Sequence, residues 1–281
     1  TQLREAVQDA HGMIGAGRYL GQAQLETAQH LEIISSVSVG YDNYDLAYLK
    51  SRGIDLAHTP HVLTETTADT AFALLMSAAR RIPELDQWTR QGQWKRTVSS
   101  AEFGMDIYGK TLGIIGLGHI GAAIARRGFY GFNMQVVYHG RREKIEVAQS
   151  LNAKYLALDE LLQCSDFVVV AVDLNESTKN LIGAEQLALM QSHAVLINIS
   201  RGAVLDEVAL YQALQQKQIF AAGFDVFQQE PLQESALFEL DNVVVSPHIG
   251  SATQATRYAM NQLAYDNLVL KLNGGQAKYI V

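Results

Sequence analysis

The chain has 281 residues, of which 48% are hydrophobic and only 18% charged, so a disordered or fibrous chain is excluded. At roughly 150 residues per domain, this length predicts about two domains. Its 22 basic and 29 acidic residues give a net charge of −7, which argues against nucleic acid or an anionic membrane as a partner. The single cysteine, Cys164, excludes an intramolecular disulfide framework and fits a reducing compartment.

The first part of the chain predicts a small α/β domain. Residues 31–39 and 53–57 are strand-like, and a Thr-Pro pair at 59–60 closes them. Thr64 is expected to cap a helix that runs to about Arg81. Glu65 suits the partial positive charge of its first turn. Because this helix is apolar nearly all round, we expect it to be buried between domains or subunits.

Short apolar runs then alternate with helical stretches as far as Val245. Most of the runs are apolar throughout rather than alternating, which is typical of parallel strands covered by helices on both faces. We therefore predict a doubly wound parallel sheet with strands at residues 111–115, 134–138, 167–172, 194–198, 220–226 and 242–245.

Residues 104–111 read GMDIYGKT and formally match the GxxxxGK[ST] phosphate loop. That loop needs a strand before it and a helix after it. Here a polar stretch precedes it, and Thr111 begins a predicted strand. We expect a surface loop, which leaves the phosphate-loop hydrolase as a weaker alternative.

Residues 116–121 read GLGHIG and match the GxGxxG pattern of dinucleotide-binding folds. The predicted strand 111–115 runs directly into the glycines, and a helical stretch follows them. Gly116 would allow the tight turn, Gly118 would let backbone amides reach a pyrophosphate, and Gly121 would let the helix lie close to the strand. The alternative is a structural glycine-rich turn.

The end of the next strand predicts the coenzyme. An NAD enzyme typically has an acidic residue there for the ribose 2′-hydroxyl, but this chain has His139, Gly140 and then Arg141 and Arg142. Two guanidinium groups suit a 2′-phosphate, so NADPH is expected to be preferred, with NADH possible as a second coenzyme. The alternative is that both arginines begin a solvated helix.

Three polar residues follow predicted strands, where open parallel sheets bind ligands. We expect Arg201 to hold a substrate carboxylate and polarise a keto oxygen, and His248 to donate a proton to that oxygen. Glu230 would raise the pKa of His248. The alternatives are that Arg201 is a surface residue at the start of a helix, Glu230 an acidic residue in a turn and His248 a hydrogen-bonded loop histidine. The other histidines show no metal-site spacing, and this chemistry needs no metal.

The sequence resembles the D-2-hydroxyacid dehydrogenase family, most closely its glyoxylate/hydroxypyruvate and 2-ketogluconate reductases. The resemblance covers nearly the whole chain. It depends on six motifs in order: SVGYDN at 38–43, LTETTADT at 63–70, the glycine turn, NISRG at 198–202, GFDVF at 223–227 with Glu230-Pro231, and SPHIGS at 246–251.

The resemblance implies a Rossmann-type domain at 64–250 inserted into a smaller flavodoxin-like substrate domain at 1–63 and 251–281. It places Arg201, Glu230 and His248 at catalytic positions and the amides of Val39 and Gly40 at the substrate carboxylate. The cofactor-binding positions are Thr67, Gly116, Gly118, His119, Ile120, Gly121, Arg141, Arg142, Leu174, Ile199, Asp225 and Gly250, where Asp225 would accept from the carboxamide. It also implies a homodimer.

Two departures from the family pattern stand out. Asp173 stands where the family commonly has proline, which puts a negative charge near the nicotinamide ribose. The family also has a strand and helix upstream of the region that Thr1 begins, so we expect a preceding segment. The sequence predicts a cytoplasmic, NADPH-preferring reductase of small 2-keto acids. The alternative is a nucleotide-sensing co-regulator of the same fold.

Overall fold

The computed structural model describes residues 2–15 and 17–281 and divides into two units. Unit 1 comprises residues 1–64 and 251–281, and unit 2 comprises residues 65–250. The strands are β1 Gly12–Gly15, β2 Ile33–Ser36, β3 Asp55–Ala57, β4 Thr111–Ile115, β5 Gln135–His139, β6 Lys154–Tyr155, β7 Phe167–Val170, β8 Val195–Asn198, β9 Ala221–Phe224 and β10 Val243–Val245. The α-helices are α1 Gln2–Ala6, α2 Gln22–Leu25, α3 Leu46–Arg52, α4 Thr64–Ala79, α5 Ile82–Arg90, α6 His119–Arg126, α7 Ile145–Ser150, α8 Leu158–Cys164, α9 Ala184–Leu189, α10 Glu207–Gln215 and α11 Gln254–Leu272.

Unit 1 contains a parallel sheet in the order β1-β2-β3. All four residues of β2 are buried, as expected for a central strand. Asp45 caps α3 by accepting a hydrogen bond from the Tyr48 N–H, and Gly53 ends the helix in the left-handed conformation. Strand β1 was not predicted because its sequence, GMIG, has two glycines and little β propensity.

Unit 2 contains a sheet in the order β10-β9-β8-β7-β4-β5-β6, with every pairing parallel. The chain moves outward from β4 to β6 and then returns to β7 on the other side of β4. This reversal is the topological switch point of a doubly wound fold. The predicted strands lie within two residues of the observed ones, and the predicted Rossmann-type fold is confirmed. Strand β6, with only two residues, was not predicted.

Helix α4 differs from the predicted helix at both ends. Thr64 is its first helical residue rather than its cap, and the helix ends at Ala79. Arg81 adopts the left-handed conformation with φ of 56° and precedes α5, where its guanidinium pairs with Glu84. The buried face of α4 packs into the core of unit 2 itself, whereas Glu65 and Met76 are exposed.

The segment that formally matches a phosphate loop has the wrong neighbours for one. Residues 104–110 form no helix or strand, and Thr111 starts β4 directly after Lys110. A phosphate loop requires the first turn of a helix at that point, so the phosphate-loop hydrolase is wrong. The predicted surface loop is confirmed.

Candidate active site

The glycine turn follows β4 and leads into α6 as predicted. Gly116 has φ of +100°, and Gly118 immediately precedes the helix. A Cβ at Gly121 would lie 2.1 Å from the Gly116 carbonyl oxygen, so only glycine allows this contact between helix and turn. Around Gly118 a Cβ would meet no atom within 4 Å, which leaves the open approach that a pyrophosphate needs. His119 and Ile120 open the first turn of α6.

Nearly all predicted site residues of unit 2 follow the carboxyl end of a strand. Since the strands are parallel, these ends share one edge of the sheet. Leu174 follows β7 and is half-buried, Ile199 follows β8 and is buried, and Arg141 and Arg142 follow β5 and are exposed. Thr67 lies on α4 with its side chain close to Gly250.

The carboxylate of Glu230 and the ring of His248 form a direct pair. Glu230 Oε2 lies 2.6 Å from His248 Nδ1, and Glu230 Oε1 accepts from the Phe227 N–H at 2.9 Å. Burial alone would raise the pKa of Glu230, but the hydrogen bonds from His248 and Phe227 and the nearby positive charge of Arg201 outweigh it. The pKa therefore lies below its ordinary value of 4.5. Because the carboxylate faces Nδ1, that nitrogen carries the proton and Nε2 is left for other partners.

Arg201 is positioned through its backbone by Asn198, which is fully buried at the end of β8. The Asn198 side chain donates to the Arg201 carbonyl oxygen at 2.9 Å and accepts from the N–H and hydroxyl of Ser200. Next to it, a Cβ at Gly202 would lie only 1.9 Å from the Phe227 carbonyl carbon. This close backbone contact holds the Arg201 loop against the loop that carries Glu230.

The segment that carries His248 is anchored by Asp225, which is 2% exposed. Asp225 Oδ1 accepts from the Ser246 hydroxyl at 2.6 Å and from the Ile249 N–H at 2.7 Å, and Oδ2 accepts from the Gly250 N–H at 2.7 Å. Three of the roughly four acceptor sites of the carboxylate are thus used. One remains for a ligand, so the predicted contact with a carboxamide stays a prediction.

His248 itself adopts a left-handed backbone conformation with φ of 53°. A non-glycine residue in this region is uncommon, although histidine, asparagine and aspartate tolerate it better than most. Strained backbone of this kind is concentrated at functional sites. The backbone conformation therefore supports a functional role for His248 independently of its side chain.

Val39 and Gly40 belong to unit 1, where they follow the end of β2. The carbonyl oxygen of Val39 accepts from His58 Nδ1 at 2.9 Å. Their predicted role at the substrate carboxylate stays a prediction.

Sequence reasoning did not find the residues that hold the site together. Asn198, Gly202 and Ser246 lie within the motifs that carry the resemblance, but nothing in a single sequence assigns a partner to each. Within residues 2–15 and 17–281 there is no group of three or more metal-ligating side chains and no helix long and apolar enough to cross a bilayer.

A dinucleotide turn at the switch point, with a histidine–carboxylate pair and an arginine at the same sheet edge, defines an NAD(P)-dependent oxidoreductase. Residues 72–250 match the family described as D-isomer specific 2-hydroxyacid dehydrogenase, NAD binding domain. The chain belongs to the D-isomer specific 2-hydroxyacid dehydrogenase family. The family resemblance and the enzyme class predicted from the sequence are thereby confirmed.

Relatives and solved structures agree with this assignment. The chain is 48% identical over 281 residues to a glyoxylate/hydroxypyruvate reductase B of Citrobacter koseri, covering 100% of this chain and 87% of the relative. An NADPH-dependent glyoxylate/hydroxypyruvate reductase of Sinorhizobium meliloti, solved with NADP and malonate, is 37% identical with a TM-score of 0.90, covering 98% and 85% of the two chains. A D-lactate dehydrogenase of Aquifex aeolicus, solved with NAD and lactic acid, is 27% identical with a TM-score of 0.89, covering 96% and 85%.

Proposed function

We propose that this protein reduces small 2-keto acids such as glyoxylate, hydroxypyruvate and 2-ketogluconate to D-2-hydroxy acids. The observation that carries the proposal is the 2.6 Å contact between His248 Nδ1 and Glu230, with Arg201 close enough to lower the pKa of Glu230. The names of the relatives support glyoxylate and hydroxypyruvate among these substrates.

The three residues have different roles in this reaction. The guanidinium of Arg201 binds the substrate carboxylate and polarises the keto oxygen. Glu230 holds the ring of His248 through Nδ1, which aims Nε2 at that oxygen, and the protonated ring delivers its proton from Nε2. A reduced nicotinamide coenzyme, when bound, would supply the hydride. The glycine turn and the positions around Thr67, Leu174, Ile199, Asp225 and Gly250 would hold it.

The turnover assay follows NADPH oxidation with each keto acid. His248→Asn should lower kcat by roughly 10² to 10⁴, the usual contribution of a general acid, and asparagine tolerates the left-handed backbone at this position. His193 offers a matched control. It pairs with Asp166 at 2.7 Å and is 49% exposed against 48% for His248, but it precedes β8 at the opposite edge of the sheet. His193→Asn should retain full rate; equal rates in all three proteins would remove His248 from the mechanism.

We also propose a preference for NADPH. Arg141 and Arg142 are exposed directly after β5, and the strand ends in His139 rather than an acidic residue. Arg141→Ala with Arg142→Ala should raise the KM for NADPH far more than the KM for NADH. An equal rise for both coenzymes would contradict a 2′-phosphate site.

The remaining expectations are a homodimer, a cytoplasmic location and the ranking among the keto acids. Light scattering coupled to gel filtration measures the mass of the assembly. A substrate panel assayed with both coenzymes gives the ranking.

A further inference from the structure

The loop after β2 is held by two hydrogen bonds from the residues after β3, both within unit 1. The Thr59 N–H donates to the Ser38 carbonyl oxygen at 3.0 Å. One residue earlier, His58 Nδ1 lies 2.9 Å from the Val39 carbonyl oxygen. A carbonyl oxygen can only accept, so Nδ1 of His58 carries the proton.

These two hydrogen bonds determine where the next N–H groups point. A peptide unit is planar and trans, so its C=O and N–H point in opposite directions. Fixing the Ser38 carbonyl therefore fixes the direction of the Val39 N–H. Fixing the Val39 carbonyl in the same way fixes the direction of the Gly40 N–H.

Neither of the two N–H groups is used within residues 2–15 and 17–281. Within the described part of the chain, the amides of Val39 and Gly40 donate to no protein acceptor, although both residues are half-buried. Two adjacent N–H donors with fixed directions can together bind an anion such as a carboxylate.

The His58 ring is also fixed by its surroundings. It is half-buried and contacts the Tyr41 ring edge to face, with ring centroids 5.7 Å apart and an interplanar angle of 79°. The backbone N–H of His58 donates to the Tyr279 carbonyl oxygen. Both the backbone and the ring of His58 are thus held, so its Nδ1–H is an ordered donor.

We infer that His58 is a positioning residue for substrate binding. It aims the Gly40 amide at the substrate carboxylate by holding the carbonyl group of the same peptide unit, and Thr59 does the same for the Val39 amide through its backbone. The inference depends on the proposed function, because it takes Val39 and Gly40 as carboxylate donors.

Two substitutions test the Nδ1–H donor of His58 separately from the packing of its ring. His58→Phe keeps the ring against Tyr41 and removes the donor. His58→Asn removes the ring and keeps a nitrogen donor at the same number of bonds from Cα. Carboxylate binding persists from the ground state through the transition state, so its loss raises KM and leaves kcat largely unchanged.

We expect His58→Phe to raise the KM for glyoxylate roughly 5- to 10-fold, with kcat changed less than about 3-fold, the effect of losing one neutral hydrogen bond. His58→Asn should stay within about 3-fold of the unchanged protein. The dissociation constant for NADPH, measured by fluorescence, should be equal in all three proteins. An unchanged KM in His58→Phe, or equal impairment in both variants, would overturn the inference.

Calorimetric titration of oxalate into the protein loaded with NADP tests the same point without turnover. The affinity should fall in His58→Phe by the factor seen in KM. If no keto acid is reduced but the oxalate affinity still falls, the proposed reaction fails, and only the contribution of His58 to carboxylate binding stands. If keto acids are reduced and the affinity is unchanged, the role of His58 fails alone. Should His58→Phe not fold, His58→Leu removes the donor at the same branch point and takes its place.

Discussion

Replacing Asp225 by asparagine tests whether this carboxylate holds the segment that carries His248. Asparagine has nearly the same shape but offers one acceptor atom and one donor atom. With its oxygen at the Oδ1 position, its NH₂ group faces the Gly250 N–H, which lies 2.7 Å from Oδ2 in the unchanged protein. In the flipped orientation the NH₂ group faces the Ile249 N–H instead, again at 2.7 Å. Either way one backbone N–H loses its acceptor.

The magnitude follows from these contacts. Replacing a charged acceptor by a neutral one weakens each of the two surviving hydrogen bonds by about 1 kcal/mol, and a buried N–H without a partner costs about 1 to 3 kcal/mol. The expected loss is about 3 to 5 kcal/mol in the free energy of unfolding. In a domain of this size that lowers the Tm by about 6 to 20 °C. We also expect kcat to fall, because the segment that orients His248 loosens.

Differential scanning calorimetry and steady-state kinetics measure the two effects, and Asp206→Asn is the matched control. Asp206 Oδ1 accepts from the Val208 and Ala209 N–H groups at the start of α10, a position where asparagine caps as well as aspartate. The control should therefore leave Tm and kcat unchanged. An Asp225→Asn protein with the Tm and kcat of the control would refute the anchoring role. Loss of NADPH binding with the Tm retained would assign Asp225 to the nucleotide instead.

Two further predictions concern the same edge of the sheet. The pKa of Glu230 is lowered, so the ionised carboxylate stabilises the fold fully above pH 4.5, and this contribution is lost as the pH falls through its folded-state value. In urea titrations between about pH 3 and 6, the difference in unfolding free energy between the unchanged protein and Glu230→Gln should thus shrink at the acidic end; a constant difference would contradict the assignment. Gly202→Ala puts a Cβ 1.9 Å from the Phe227 carbonyl carbon, so the two loops must separate. We expect kcat/KM to fall at least about 10-fold, since small misplacements in an active site are costly, and unchanged kinetics would show that the contact is dispensable.

The sheet of unit 2 could be predicted because its strands are nearly continuous apolar runs such as FVVV at 167–170, which have few alternatives once helices flank them. Strand β1 could not be predicted, because its sequence, GMIG, forms a strand only through its packing in the folded unit. A Cβ at Gly12 would lie 2.5 Å from Leu268 of α11, a contact with a residue far along the chain. The early end of α4 has a similar cause. Arg81 leaves the helical conformation where its guanidinium reaches Glu84 and the Ala101 carbonyl oxygen.

For the site, the sequence could predict which residues react but not what holds them. Glu230 and His248 follow strands that share one edge, so their convergence follows from parallel topology. The acceptor that Asp225 offers to Ile249 and Gly250, and the contact of Gly202 with Phe227, depend on how separate loops lie on one another. Such contacts leave no pattern of spacing in a single sequence.

The contact between Gly202 and Phe227 also has a dynamic consequence. Moving either loop away from the other would break this close backbone packing, so we expect the loops at 199–204 and 225–230 to open as one cooperative unit. The backbone amides of these loops that exchange slowly, among them the Phe227 N–H bonded to Glu230, should then show the same opening free energy in hydrogen exchange. Glu230 and Arg201 would thus leave and return to their positions in the site together. States in which only one of the two is in place would be rare.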